Sequence, residues 1–546
     1  MSKITALLSL LVGLMLLLTP APPDRATSPF PSATSGDLCP PLPAPTGTIV
    51  DVSSVAELLD AVNNLEPNTT IRIADGTYNL HGAYLWIDVS GVAIRSASGN
   101  REAVVIDGNY ETSEIVTIAV SNVTIADLTL QRAYTHPIHV VSTGEADTQN
   151  TFIYNVHIID PGEQAIKINP GGNGTHFADN GIIACSHIAL TDAGRPHIRN
   201  DCYTGGVDGH QAWGWVIRDN VIEGFWCESG LSEHGIHFWR GCRDTVVERN
   251  VLIDNARGAG FGLMQAGEAR VYDDDPCPGA DYVGHYDGII RNNFIFASRE
   301  DLFLSAYGFD CGICLAQACG SQVLHNTVAS TDEPFSSIEW RFANTDAEIT
   351  NNLVSHNLRD RGGVAYLAGN LDYASLSLFA DGAGGDLHLV ESASSAIDKG
   401  VSLAQGLCDD DIDGDARPIG PAPDVGADEY GTPPPAAVTD LRVTTAIASS
   451  GTLTTTLRWT APATAFTITL RYSGTLITGA NWATASLITN TLSGSAETCT
   501  ATIPYGGNKV YFGLKSQNAK GDWSDLSNNA FWPHWDVYLP LVTKGR

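Results

Sequence analysis

Between residues 123 and 351 one short device recurs: four or five mostly β-branched residues running into Asn or Asp. It is written Val123-Thr-Ile-Ala-Asp127, Thr151-Phe-Ile-Tyr-Asn155, Trp215-Val-Ile-Arg-Asp219 and Thr245-Val-Val-Glu-Arg-Asn250, then Gly288-Ile-Ile-Arg-Asn292, Gln322-Val-Leu-His-Asn326 and Ala347-Glu-Ile-Thr-Asn351. Most copies lie about 25–35 residues apart, the period of stacked repeats. Each copy alternates apolar and polar positions, which is strand periodicity. A strand this short cannot bury its apolar face alone, so successive turns must stack into a solenoid. Asn suits the corner because it tolerates left-handed backbone, and stacked Asn side chains can form ladders along the axis. Helical periodicity is confined to Val55–Leu65, read as a cap over the open first turn.

The opening Leu58-Leu-Asp-Ala-Val62, with Ile71-Arg-Ile-Ala-Asp-Gly-Thr-Tyr78, resembles the start of pectate-lyase-like right-handed parallel β-helix proteins, and the Asn-ended copies are similar to their repeats. The same opening resembles that of chondroitinase B and the related alginate lyases. Glu233-His-Gly-Ile-His-Phe-Trp-Arg240 and Asp424-Val-Gly-Ala-Asp-Glu-Tyr430 resemble segments of exported bacterial β-helix proteins. Beyond a Pro-rich break the composition turns to Thr-rich alternation. There Val438-Thr-Asp-Leu441, Leu457-Arg-Trp-Thr-Ala-Pro462 and Tyr511–Asn518, with Gly521 and Trp523-Ser524, resemble a fibronectin type III domain whose core aromatic is Trp459.

The expected fold is therefore all-β, a right-handed parallel β-helix followed by a fibronectin type III-like sandwich. The expected organisation is a signal peptide over 1–24, a Pro/Ser-rich linker over 25–45, the β-helix over 46–431 and a linker over 432–436. The sandwich follows over 437–532 and a tail over 533–546, the tail being either a sorting signal or an edge strand. The apolar run Ala6–Leu18 behind Lys3 has the length of a signal-peptide core and is short for a bilayer span, which points to export, secreted or at the cell surface. In that setting the 11 Cys favour disulfides, with Cys185–Cys202 and Cys227–Cys242 as plausible local pairs and one thiol left over. Cys311, Cys314 and Cys319, with Cys277 upstream, form an alternative zinc set.

Charge narrows the partners. Acids outnumber bases 61 to 30 over 546 residues, a net −31, which argues against nucleic acid and anionic membranes. An anionic glycan would need basic groups gathered locally. One residue meets that requirement by its isolation: Lys167 is the only lysine between residues 4 and 398.

Placing the apolar residues of each strand inward predicts what points outward. His139, Lys167, Asp208 and His237 form one column and Asn169, His210 and Trp239 a second, with Glu339 and Arg341 extending them beyond an inserted loop. Such a face suits a polysaccharide, with Trp239 as a stacking platform. The reading this favours is a monomeric lyase that cleaves uronate chains by β-elimination. Lys167 would take the C5 proton and His210 or His237 protonate the leaving oxygen. Arg240, Arg341 or calcium would neutralise the carboxylate, with Asp208, Glu233 and Asn169 as calcium ligands. Asp208, His210 and His237 would suit a transition metal. A glycoside hydrolase using Asp208 and Glu233, and a glycan-binding surface protein without catalysis, are the alternatives. Asp409-Asp-Asp-Ile-Asp-Gly-Asp415 resembles the front of a calcium loop without its closing Glu, and reads as a solvated turn.

Overall fold

A computed structural model describes residues 38–172, 174–431, 435–462, 464–518 and 523–532. The expected signal peptide and the 533–546 tail lie outside these residues. Three long sheets run along the first part of the chain, two of 10 strands and one of 14, with parallel pairing between successive turns. They make a right-handed parallel β-helix. The chain then enters an antiparallel sandwich with one three-stranded and one four-stranded sheet. Trp459 is buried in the sandwich core beside Leu457, Ile468 and Phe512.

The helix Val55–Asn63 begins where Ser54 accepts a bond from the Glu57 amide, and it buries Leu58 and Val62 against the first turns. Inside the solenoid the inward residues stack in columns. In the sheet that carries the candidate site, Ile138, Ile166, Val207, Ile236, Ala259, Ile313 and Ile338 are successive register partners, all fully buried. Each such aliphatic side chain contributes about 1.5–3 kcal/mol on removal from water.

The repeated Asn turns out to hold two different positions. Asp127, Asn155, Asp219, Asn292 and Asn351 take left-handed backbone at the corner, but so do Arg249 and His325. The ladder is built one residue later. Asn220 donates to Asn250 at 2.9 Å, Asn250 to Asn293 at 3.0 Å, Asn293 to Asn326 at 2.9 Å and Asn326 to Asn352 at 3.0 Å. Asn250 and Asn326 of the sequence repeat therefore belong to the ladder and not to the corner.

Four disulfides form: Cys39–Cys185, Cys202–Cys227, Cys277–Cys319 and Cys311–Cys314. Both expected pairings are corrected: Cys185 and Cys202 bond Cys39 and Cys227, which stacking brings from other turns, and Cys242 stays free. The expected zinc set is spent in two of these bonds, and Cys242, Cys408 and Cys499 are free thiols. The stretch expected as linker over 25–45 is packed where it is described. Cys39 is bonded to Cys185, Tyr154 donates to the Pro40 carbonyl, and Arg95 donates to that of Pro43.

The acidic turn at 409–415 is not solvated throughout. Asp411 is buried and its carboxylate accepts the amides of Asp413, Asp415 and Glu429. Those bonds close the turn on itself. Among the described residues no helix is long and apolar enough to cross a membrane.

Candidate active site

The two outward columns exist as register. His139 pairs with Lys167, Lys167 with Asp208, Asp208 with His237, and His210 with Trp239. Glu339 lies further along the first column, past Gly260 and Cys314. The expectation that these residues face solvent is corrected. Lys167 is 4% exposed, Asp208 1% and His237 0%, with Tyr203 bonded to Lys167 and Trp239 packed against Asp208 and His237.

Lys167 is the hub. Its Nζ donates to Asp208 Oδ2, to the Tyr203 hydroxyl at 2.9 Å and toward His210 Nε2 at 3.1 Å. Burial alone would lower the Lys167 pKa, but Asp208 and Tyr203 outweigh it and hold the ammonium above its ordinary value. Burial would raise Asp208, yet the Lys167 ammonium holds it well below the usual carboxylate range. Burial lowers His210, more than Asp208 restores, so its imidazole is neutral at pH 7. Burial also raises the Tyr203 phenol, which stays protonated.

These groups meet in a cleft of about 570 Å³, lined by Lys167, Asn169, Tyr203, His210, Arg240 and Glu268 among others. Asn169 donates to His139 Nε2 at 3.2 Å, and His139 Nδ1 lies 2.8 Å from Glu114. Arg240 has left-handed backbone, and its guanidinium forms no ion pair among the described residues. In a protein of net −31, two cations thus line one cleft, one of them unpaired.

Several expected members are not there. Trp239 offers no free face, since His237 stacks on it at 5.5 Å and the Arg240 guanidinium lies 5.2 Å from its ring centre. Its indole N–H instead fixes Asp208 Oδ1 at 3.0 Å. His237 and Asp208 lie beneath the cleft and do not line it. Glu339 sits five strand spacings from Lys167, about 24 Å. Glu339 pairs with Arg361 at 2.7 Å, and Arg341 is spent on the Leu263 carbonyl at 2.8 Å. Glu339 and Arg341 therefore do not pair with each other.

The calcium set does not converge either. Both Asp208 oxygens are already bonded, and the His237 ring stands between Asp208 and Glu233. As a hydrolase pair, Asp208 and Glu233 are separated by the His237 ring, which contacts both. Tyr203 escaped the sequence reading because it sits in a loop with no periodicity to register it.

A second cleft, about 820 Å³, lies over the Cys202–Cys227 bond. Its cations Arg195 and Arg299 are both paired with Asp192 and laid on Trp226, which leaves neither free for an anionic ligand.

No family model matches the sequence, and no curated protein matches it. Among solved structures it is similar to an alginate lyase from Paenibacillus sp. str. FPU-7, at 15% identity over 59% of this chain and 97% of that one, with TM-score 0.37. A polygalacturonase from Erwinia carotovora ssp. carotovora matches at 11% identity over 61% of this chain and 98% of that one, with TM-score 0.31. An Fn3-like protein from Clostridium thermocellum matches at 21% identity over 18% of this chain and 90% of that one, with TM-score 0.15. By its own stacked parallel sheets and the antiparallel sheets that follow, the chain is a right-handed parallel β-helix protein with a C-terminal antiparallel β-sandwich.

Proposed function

We propose that the protein is an exported polysaccharide-degrading enzyme, and that the cleft over Lys167 cleaves uronate-containing chains by β-elimination. The observation that carries this reading is the cleft's charge pattern: an unpaired guanidinium in the lining, and a neutral imidazole and a phenol within hydrogen-bond distance of a buried ammonium. The four disulfides fit export into an oxidising compartment.

The roles differ from those expected from sequence. Arg240 keeps its expected task and pairs with the uronate carboxylate. His210, the neutral base that lines the cleft, takes the C5 proton on Nε2 as Lys167 releases that nitrogen and keeps its bonds to Asp208 and Tyr203. Tyr203 gives its proton to the leaving oxygen as the C4–O bond breaks and the C4–C5 double bond forms. Lys167 then stabilises the phenolate from 2.9 Å; an ammonium held by Asp208 has no lone pair with which to act as the base.

The test is to incubate the protein with a panel of uronate polysaccharides and follow the ultraviolet absorbance of the new conjugated double bond. New reducing ends without that absorbance would mean hydrolysis. Binding with neither signal would mean a glycan-binding protein. If the lyase signal appears, Arg240→Gln should raise KM and Tyr203→Phe should lower kcat.

A further inference from the structure

Behind the cleft floor, three side chains that the proposed reaction does not use converge on one point. One ligand atom from each of Glu233, His234 and His237 lies within 4.8 Å of those of the other two. His237 Nδ1 is 3.1 Å from Glu233 Oε2, and His234 Nδ1 is 3.8 Å from the same oxygen. The rings of His234 and His237 lie 4.2 Å apart. Both histidines are at most 1% exposed, and none of the three atoms has a hydrogen-bond partner.

The tautomer of His237 sharpens the point. Its Nε2 lies 3.1 Å from the Gly262 carbonyl, which can only accept, so the proton is on Nε2. In the neutral ring Nδ1 is then a lone pair. It faces two carboxylate oxygens, Glu233 Oε2 at 3.1 Å and Asp208 Oδ1 at 3.5 Å. Three acceptors gathered out of water repel one another unless a cation sits among them. That cation is either a proton on Nδ1 or a metal ion.

A proton on Nδ1 would satisfy His237 and leave His234 Nδ1 without a partner. A metal ion satisfies all three atoms together. The chain makes room for this arrangement: a Cβ on Gly260 would lie 2.5 Å from His234 Nε2, so only glycine admits the His234 ring here. A carbonyl that fixes the far nitrogen of a ligating histidine is the usual orienting bond at such centres.

We propose that Glu233, His234 and His237 bind one divalent transition-metal ion behind the floor of the cleft. Two imidazoles and one carboxylate select zinc, manganese, iron or cobalt over calcium, which prefers an all-oxygen shell. Asp208 is a neighbour and not a ligand, its oxygens being held by Lys167 and Trp239. The ion would pin Asp208 from behind, and the proposal stands whatever reaction the cleft performs. Cys311 and Cys314 Sγ also lie near His234, but they are joined to each other and donate nothing.

The test is direct metal analysis of the full chain, stripped with chelator, reloaded with Zn²⁺ or Co²⁺ under non-reducing conditions and desalted. The expected result is about one ion per chain and, with cobalt, visible absorption from the coordinated ion. Glu233→Gln and His234→Ala should each weaken binding by at least tenfold, while His210→Gln should leave it unchanged. Glu233→Gln is nearly isosteric and keeps the test valid if the histidine variant unfolds. No ion retained above the level of Glu233→Gln, together with a doubly protonated His237 by nitrogen NMR, would overturn the proposal. So would metal that binds only after reduction, because it would belong to the two cysteines.

Discussion

Lys167 and Asp208 form a buried ion pair whose worth lies in its completeness. Removing one partner strands the other charge out of water, at about 3–5 kcal/mol. Lys167→Ala is therefore expected to lower unfolding stability by that amount in a urea titration. Tyr203→Phe deletes one hydroxyl and should barely move the urea midpoint while reducing kcat about 10²–10⁴-fold. A Tyr203→Phe protein of full activity would remove Tyr203 as the acid.

His210 sets the pH dependence, facing Asp208, Lys167, Tyr203 and, more distantly, Arg240. Its pKa is below 6.5, and the neutral form is the base. Activity should accordingly rise with pH along an acid limb whose midpoint lies below 6.5. A kcat/KM profile with its acid limb above 7 would contradict the assignment. Linkage gives Asp208 a stability contribution of the same sense, rising with pH. Its folded pKa is depressed, so its contribution to stability is present above pH 3.8 and fades as pH falls toward the folded value.

At the scale of elements, the Asn ladder ties turn to turn. Asn293 accepts from both the amide nitrogen and the side chain of Asn250, and donates to Asn326 at 2.9 Å. Asn293→Ala should cost about 1–3 kcal/mol for each buried group left unpaired. Denaturant unfolding would read this directly. The sequence displayed the repeat but merged two roles within it, since Arg249 and His325 occupy corners that Asn holds elsewhere. A corner needs only a residue that tolerates left-handed backbone within a supportive turn. The ladder needs one amide that donates and accepts at a fully buried position, which only Asn supplies at that length.

On the scale of the whole molecule, the solenoid sets a direction for any chain that enters the cleft. Along the column of Lys167, three strand spacings toward the N-terminus through His139 and Thr117, stands Trp86, 45% exposed. The separation is about 14 Å, within reach of a bound oligosaccharide. Trp86→Ala is expected to raise KM for long substrates and leave short ones unchanged. Equal effects on both, measured on a chain-length series, would place the substrate elsewhere. The Cys39–Cys185 bond holds the N-terminal segment to this body, and Cys39→Ser should expose residues 38–45 to protease without loss of the solenoid.

The linear pattern alone determined the β-helix, the appended sandwich and the register of the outward columns, because strand alternation and repeat spacing are local properties that stacking only multiplies. It also isolated Lys167, because a lone lysine is visible in composition. Tertiary structure decided the rest. Packing across turns buried the columns and turned a supposed base into a paired cation, and a loop without periodicity brought Tyr203 to Lys167. Charge state, disulfide partners and free aromatic faces depend on which turns pack beside which, and packing across turns leaves no mark in the spacing of a sequence.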